Sequence, residues 1–152
     1  MQRNILSVLV LASCLVFFQS TSAQNGSAEP QCPSHPHQRT DAEVLQDHVA
    51  AFESGNAALV ACDYAKNALF ILPDTATQGQ QNIEAVFAQF LGFAGGNIQV
   101  TTKSLTIADG FGLFEYSISS DHVTVTDGVD TFVIDHGLIE VHTAHLGGLS
   151  FH

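Results

Sequence analysis

Asp130 lies inside Val129-Asp130-Thr131-Phe132-Val133-Ile134, an otherwise apolar, β-rich run. A carboxylate in a buried strand is costly unless something pairs with it or uses it. His48 sits between Leu45 and Phe52 at helical spacing, so its ring is expected to point inward with them. An imidazole titrates near neutrality and suits proton transfer. Paired, His48 and Asp130 make an acid–base set in which the carboxylate orients the ring or keeps it protonated. The plain alternatives are a buried neutral histidine with one satisfied hydrogen bond and a structural carboxylate bonded to backbone. His142 and His145 are three apart, so on a regular strand they face opposite sides. Of Glu115 and Tyr116, the tyrosine is the better pocket residue, having an apolar body and a donor hydroxyl. Phe132 shares the strand face of Asp130, and Phe52 the helix face of His48. The chemistry these residues allow is cofactor-free lyase, isomerase or cyclase work on a small carbonyl or hydroxyl compound. His48 would move a proton, Asp130 would orient it, and Tyr116 or His142 would hold a developing oxyanion. The same residues can instead anchor the polar group of a bound, largely apolar molecule.

Elements of the right kind surround these positions. Thr40-Asp41-Ala42-Glu43 is a capping box, and Leu45, His48, Val49 and Phe52 follow at helical spacing. Gly55 ends that helix, and Asn56 caps a second expected to reach about Ala65. Ala68 to Leu72 reads as a short strand stopped by Pro73, with a turn region over Thr75 to Gly79. Ile83, Val86, Phe87, Phe90 and Leu91 form the clearest amphipathic stripe, closed by Gly92. From Asn97 to Leu146, apolar runs are broken at Ala108-Asp109-Gly110, Thr126-Asp127-Gly128 and Asp135-His136-Gly137. Such pairs tolerate the positive φ of tight turns, so the segment reads as four antiparallel strands. Helices early and an antiparallel sheet late make the fold class α+β.

The 152 residues divide into three parts. Residues 1–23 read as a secretory signal peptide, with Arg3, an apolar Ile5 to Phe18, and Thr21-Ser22-Ala23 before the cut. Leu11-Ala12-Ser13-Cys14 looks like a lipobox, but the apolar run continues beyond its cysteine. Residues 24–39, rich in Pro, Ser, Gly and His, read as a mobile tail that carries a glycosylation sequon at Asn25. Residues 40–152 form one domain. The expected location is therefore secreted or periplasmic. After cleavage, Arg39, Lys66 and Lys103 stand against fifteen acidic residues. That balance opposes binding to nucleic acid or to an anionic membrane. Cys32 and Cys62 remain and can pair in an oxidising compartment. Cys32, His35 and His37 match no zinc signature, and no Gly-rich phosphate loop or nucleophile elbow occurs. No metal and no cofactor is expected.

The order of elements and several motifs resemble the NTF2-like superfamily, in particular its SnoaL-like branch of polyketide cyclases related to ketosteroid isomerase. The matching pieces are His48-Val49-Ala50-Ala51-Phe52-Glu53-Ser54-Gly55-Asn56, Asn67-Ala68 with Leu72-Pro73, Gly79, and Gly128 through Ile139. The resemblance covers about Asp41 to Leu146. It implies a cone-shaped roll, three N-terminal helices packed on a curved, mostly antiparallel sheet, with an open mouth and often a homodimer. Relative to ketosteroid isomerase, Asp130 falls where that family has the protonated Asp of its oxyanion hole, and His48 where it has the partner Tyr. The expected general base is replaced by Leu72, which argues against steroid-isomerase chemistry. No counterpart of the epoxide hydrolases' Asp-Arg-Asp set is seen, since Arg39 lies in the tail. The comparison also puts His142 on the inner side with Ala144 and Leu146, and His145 outside. The candidate site is thus His48 and Asp130 for catalysis, with Tyr116, His142, Phe132 and Phe52 for the ligand.

Overall fold

The computed structural model describes residues 31–152. The signal peptide, its cleavage site and the Asn25 sequon lie outside the described residues. Helix α1 spans Asp41–Glu53 and starts where the capping box places it. Glu43 N–H donates to Thr40 Oγ1 at 3.3 Å, and Thr40 N–H donates to Glu43 Oε2 at 2.7 Å. Asn56 caps α2 (Ala57–Ala61) by accepting from Ala58 and Leu59 N–H. That helix is four residues shorter than expected, because the chain turns into β1 (Tyr64–Leu72) directly. The expected turn region pairs back on β1 as a short strand, β2 (Thr75–Gln78). Helix α3 (Gln80–Ala94) follows, burying Ile83, Phe87, Leu91 and Ala94. It runs past Gly92 and stops at Gly95, whose φ of 77° suits glycine. Among the described residues, two α-helices therefore precede the sheet, and the third follows its first hairpin.

The remaining strands are β3 (Gln99–Ala108), β4 (Phe111–Ser119), β5 (Val123–Asp135), β6 (Leu138–Gly147) and β7 (Ser150–Phe151). The sheet order is β2-β1-β6-β5-β4-β3, with β7 on the early end of β5. Only β1 and β6 run parallel among these pairs. Strand β4 alternates exposed and buried along almost its whole length, so one sheet face is core and the other is outward.

Two of the three expected turns form, at Asp109-Gly110 and His136-Gly137. The third does not. Thr126-Asp127-Gly128 lies inside β5 as a bulge, since Tyr116 pairs with Gly128 while Ile118 pairs with Val125. The actual β4–β5 turn is Ser120-Asp121-His122. Ser120 Oγ closes it by accepting from Val123 N–H at 3.0 Å. Asp121 anchors it by accepting from Gly96 N–H and the Asn97 amide. Ser and Asp make such turns with side-chain hydrogen bonds, without any glycine.

The segment before α1 is tied to the domain at several points. Cys32 and Cys62 form a disulfide with Cα atoms 5.3 Å apart, which removes Cys32 from any metal-ligand role. His37 Nδ1 lies 3.1 Å from the His136 carbonyl. Arg39 donates to the Gly137 carbonyl at 2.9 Å and forms an ion pair with Asp63 at 2.5 Å. No helix among the described residues is long and apolar enough to cross a membrane.

Candidate functional site

Sheet register assembles the site. On the inner face Asp130 pairs with Phe114 on one side and Ala144 on the other. One step along, Phe132 pairs with His142, and His142 with Phe70 of β1. One step the other way, Tyr116 pairs with Gly128. Asp130 is therefore diagonal to both His142 and Tyr116, within reach of long side chains. Tyr116 donates its hydroxyl proton to Asp130 Oδ1 at 3.0 Å. His142 Nε2 lies 3.0 Å from Asp130 Oδ2, with the ring N–H directed off that line. At the other ring nitrogen, His142 Nδ1 meets the Tyr64 hydroxyl at 2.5 Å. Tyr64 opens β1, immediately after the turn out of α2.

Gly128 makes room for this arrangement. A Cβ there would lie 2.3 Å from the Tyr116 ring. The bulge that precedes it and the missing side chain together let Tyr116 lie across β5 and reach Asp130.

All four polar residues are buried: Tyr64 at 1%, Tyr116 at 4%, Asp130 at 7% and His142 at 2% exposure. Burial pushes the His142 imidazole below its ordinary value, against the opposing pull of Asp130. Burial, and then the Asp130 charge, push both tyrosines above theirs. His142 is therefore favoured as a neutral ring and both tyrosines as hydroxyls.

Beside this group is a cavity of about 70 Å³. Its floor is Asp130, His142, Tyr116 and Ala144, and its walls include the buried Phe70 and Phe87. Half-buried Phe52, Leu72, Val86, Phe90 and Leu146 form the rim. A second cavity of about 40 Å³ shares Asp130, His142 and Tyr116 with the first and adds His48 and Phe132.

The NTF2-like architecture of the chain emerges from comparison with solved structures. An NTF2-like protein of unknown function from Burkholderia xenovorans LB400 is 18% identical. The match covers 70% of this chain and 81% of that one, with a TM-score of 0.59. A protein with a ketosteroid isomerase-like fold from Catenulispora acidiphila DSM 44928, solved with trimethylamine, is 12% identical. It matches over 72% of this chain and 88% of its own, with a TM-score of 0.61. An epoxide hydrolase/cyclase-like enzyme of pyran ring formation in the polyether salinomycin is 11% identical, over 73% and 95%, with a TM-score of 0.62. The chain has the NTF2-like fold. No protein-family model matches the sequence, and no curated protein matches it.

Within this NTF2-like frame, Tyr116, His142, Phe52 and Asp130 line one cavity together. The pairing of His48 with Asp130 is not found. Asp130 is partnered by Tyr116 and His142, while His48 Nδ1 lies 3.6 Å from Asp63 Oδ2. The reason is geometric: the strand diagonal brings His142 to Asp130 before the helix can. His48 instead packs edge-on against Tyr64, Phe87, Phe132 and His142, with ring centroids 5.5–5.9 Å away. His145 is exposed on the outer face.

Two residues that the sequence does not single out, and Arg39, which it places in the tail, complete the picture. Tyr64 was hidden inside an over-long helix. Asp63 is 2% exposed and meets Arg39 and, more distantly, His48. Arg39 also contacts Asp47 at 3.1 Å, so an Asp-Arg-Asp set does exist. None of its three members lines either cavity. Among the described residues, no group of three or more His, Cys, Asp or Glu is placed to hold a metal ion.

Proposed function

We propose that the chain is an exported protein that binds a small, largely apolar molecule in the inner cavity. The observation that carries this is a buried His142–Asp130–Tyr116 floor beneath an apolar, half-buried rim. Binding sites combine an apolar lining with a few convergent polar groups in this way. The cavity of about 70 Å³ limits the occupant to a few heavy atoms unless the rim moves. The trimethylamine held by the Catenulispora protein is an occupant of that scale. The Cys32–Cys62 disulfide supports export, since such bonds persist in oxidising compartments. Two copies would associate through the outer sheet face, where Phe111 and Leu113 stand exposed in register with Val133 and Thr131.

Native mass spectrometry of the purified protein, with Ala144→Leu as the control, tests the binding reading. The expected result is a small molecule carried by the natural chain and lost when the leucine fills the cavity. Equal recovery from both, or none from either, would remove the cavity as the site.

A second reading is cofactor-free lyase, isomerase or cyclase chemistry. The Tyr64–His142–Asp130 chain favours it, since a neutral His142 held between a hydroxyl and a carboxylate can accept and return a proton. In this reading His142 takes the role first expected of His48.

A further inference from the structure

Asp130 and Asp63 are both buried carboxylates, yet their surroundings differ in one respect. Asp63 meets the guanidinium of Arg39 at 2.5 Å. Among the described residues, Asp130 meets no fixed cation. Its partners are the Tyr116 hydroxyl and a His142 ring that burial holds toward its neutral form. The other basic side chains of the domain do not line the cavity. Lys103 is bound to Asp127 and to the Thr126 carbonyl, and Lys66 lies on an outer rim beside Gly79 and Gln80. Among the described residues, a carboxylate therefore stands on the cavity floor with the Tyr116 hydroxyl as its donor, the His142 ring beside it and no basic side chain to pair with it.

The rest of the lining says what kind of counter-ion fits. Phe52, Phe70, Phe87 and Phe90 line the same cavity as Asp130, with Phe70 and Phe87 stacked at 5.3 Å and Phe52 and Phe90 tilted at 5.8 Å. Aromatic faces attract cations through their quadrupole and tolerate alkyl groups. They offer nothing to a hard metal ion, which needs six or more oxygen ligands or water. Four aromatic rings lining one cavity with a carboxylate suit a positive charge dressed in methyl or methylene groups. The volume of about 70 Å³ selects a compact one. The net charge of −11 draws cations toward the whole molecule.

We infer that the occupant of this cavity is a compact organic ammonium cation, its charge on Asp130 and its alkyl groups against the phenylalanine rings. This rests on the binding reading given above and narrows it to a ligand class.

The test titrates the purified protein with tetramethylammonium chloride and, separately, with tert-butanol, a neutral molecule of the same size and shape. Tyrosine fluorescence reads both, because the chain has no tryptophan and its two tyrosines, Tyr64 and Tyr116, border the site. The expected result is saturable binding of tetramethylammonium at least about tenfold tighter than tert-butanol, a difference of about 1.4 kcal/mol. In Asp130→Asn the preference falls to within about twofold, with tert-butanol affinity unchanged. Should that variant fail to fold, Phe90→Leu removes one aromatic face and weakens the cation several-fold while sparing the alcohol. Equal affinities in the natural protein overturn the cation and leave the cavity as a binding site. Failure of both probes to bind overturns the binding reading and this inference together.

Discussion

Arg39→Gln is the substitution whose cost the structure sets most firmly. The Arg39 and Asp63 side chains are 9% and 3% exposed, and their charged atoms are 2.5 Å apart. At an effective dielectric near 20, that separation corresponds to a gross attraction of about 7 kcal/mol, most of it offset by desolvation. Removing the arginine restores none of that desolvation. It leaves Asp63 charged and buried, with Oδ2 already lacking a hydrogen bond. Breaking a buried pair from one side costs about 3–5 kcal/mol, a large part of a typical total stability of about 5–15 kcal/mol. The variant also loses the bonds to the Gly137 and Pro36 carbonyls. A double-mutant cycle separates the two losses. Arg39→Gln with Asp63→Asn removes the stranded charge but not the missing backbone bonds, so the double variant should recover at least about 2 kcal/mol relative to the single. Urea unfolding followed by far-ultraviolet circular dichroism gives each corner of the cycle. A single-variant cost below about 1 kcal/mol is what an exposed pair gives, and it would refute the claim that this pair is buried and supports the fold. Strict additivity in the double variant would refute the stranded-charge mechanism.

Three further expectations follow from the same geometry. Stability should depend on pH at both ends. His142 is held below its ordinary value of 6.5, so its contribution is full above that pH and is lost as pH falls. Tyr64 and Tyr116 are held above 10.0, so theirs is full below that pH and is lost as pH rises. Phenolate absorbance should therefore appear only together with unfolding, and its appearance in a chain with native circular dichroism would contradict the burial of both rings. Replacing Cys32 and Cys62 by serine opens a loop of 30 residues, worth about 3–4 kcal/mol on the chain-entropy account; an unchanged urea midpoint would show the tail needs no staple. For the proposed pairing through the outer sheet face, Phe111→Asp should abolish self-association in sedimentation velocity, and an identical sedimentation profile would exclude that face from the interface.

Much of the frame was legible because its signals are local. Thr40 and Glu43 announce the start of α1 within four residues, and the stripe from Ile83 to Leu91 shows which face of α3 is buried. Gly110 and Gly137 mark their turns by the positive φ they adopt. What stayed hidden depends on residues far apart in sequence. Thr126-Asp127-Gly128 and Ser120-Asp121-His122 both carry turn chemistry, and only pairing with β4 decides that the first is a bulge and the second the turn. The partner of Asp130 is settled by register across β5 and β6, since a shift of one residue would reverse every face. Arg39 looked like a tail residue because its partner Asp63 is 24 positions away. Asp130 itself was legible as an anomaly because charge in an apolar run conflicts with burial whatever its partner.

The contrast between the two aspartates separates support from function. Asp63 has its counter-ion within the fold and lines neither inner cavity, so replacing it harms a structure built around the pair. Asp130 has no fixed counter-ion among the described residues and lines the cavity where a ligand would sit. A buried carboxylate held by a hydroxyl and a neutral ring costs stability relative to a neutral residue of the same shape. Asparagine has that shape. Its carbonyl accepts from Tyr116, and its amide donates to His142 Nε2 once the ring proton moves to Nδ1 and donates to Tyr64. Asp130→Asn should therefore leave urea stability unchanged or raise it by about 1 kcal/mol, while abolishing ligand selectivity. Asp63→Asn alone leaves Arg39 with only the exposed Asp47 as its ionic partner and should lower stability. If Asp130→Asn instead destabilised the chain by about 2 kcal/mol or more, the carboxylate would be a structural anchor, and its place on the cavity floor would need no ligand to explain it.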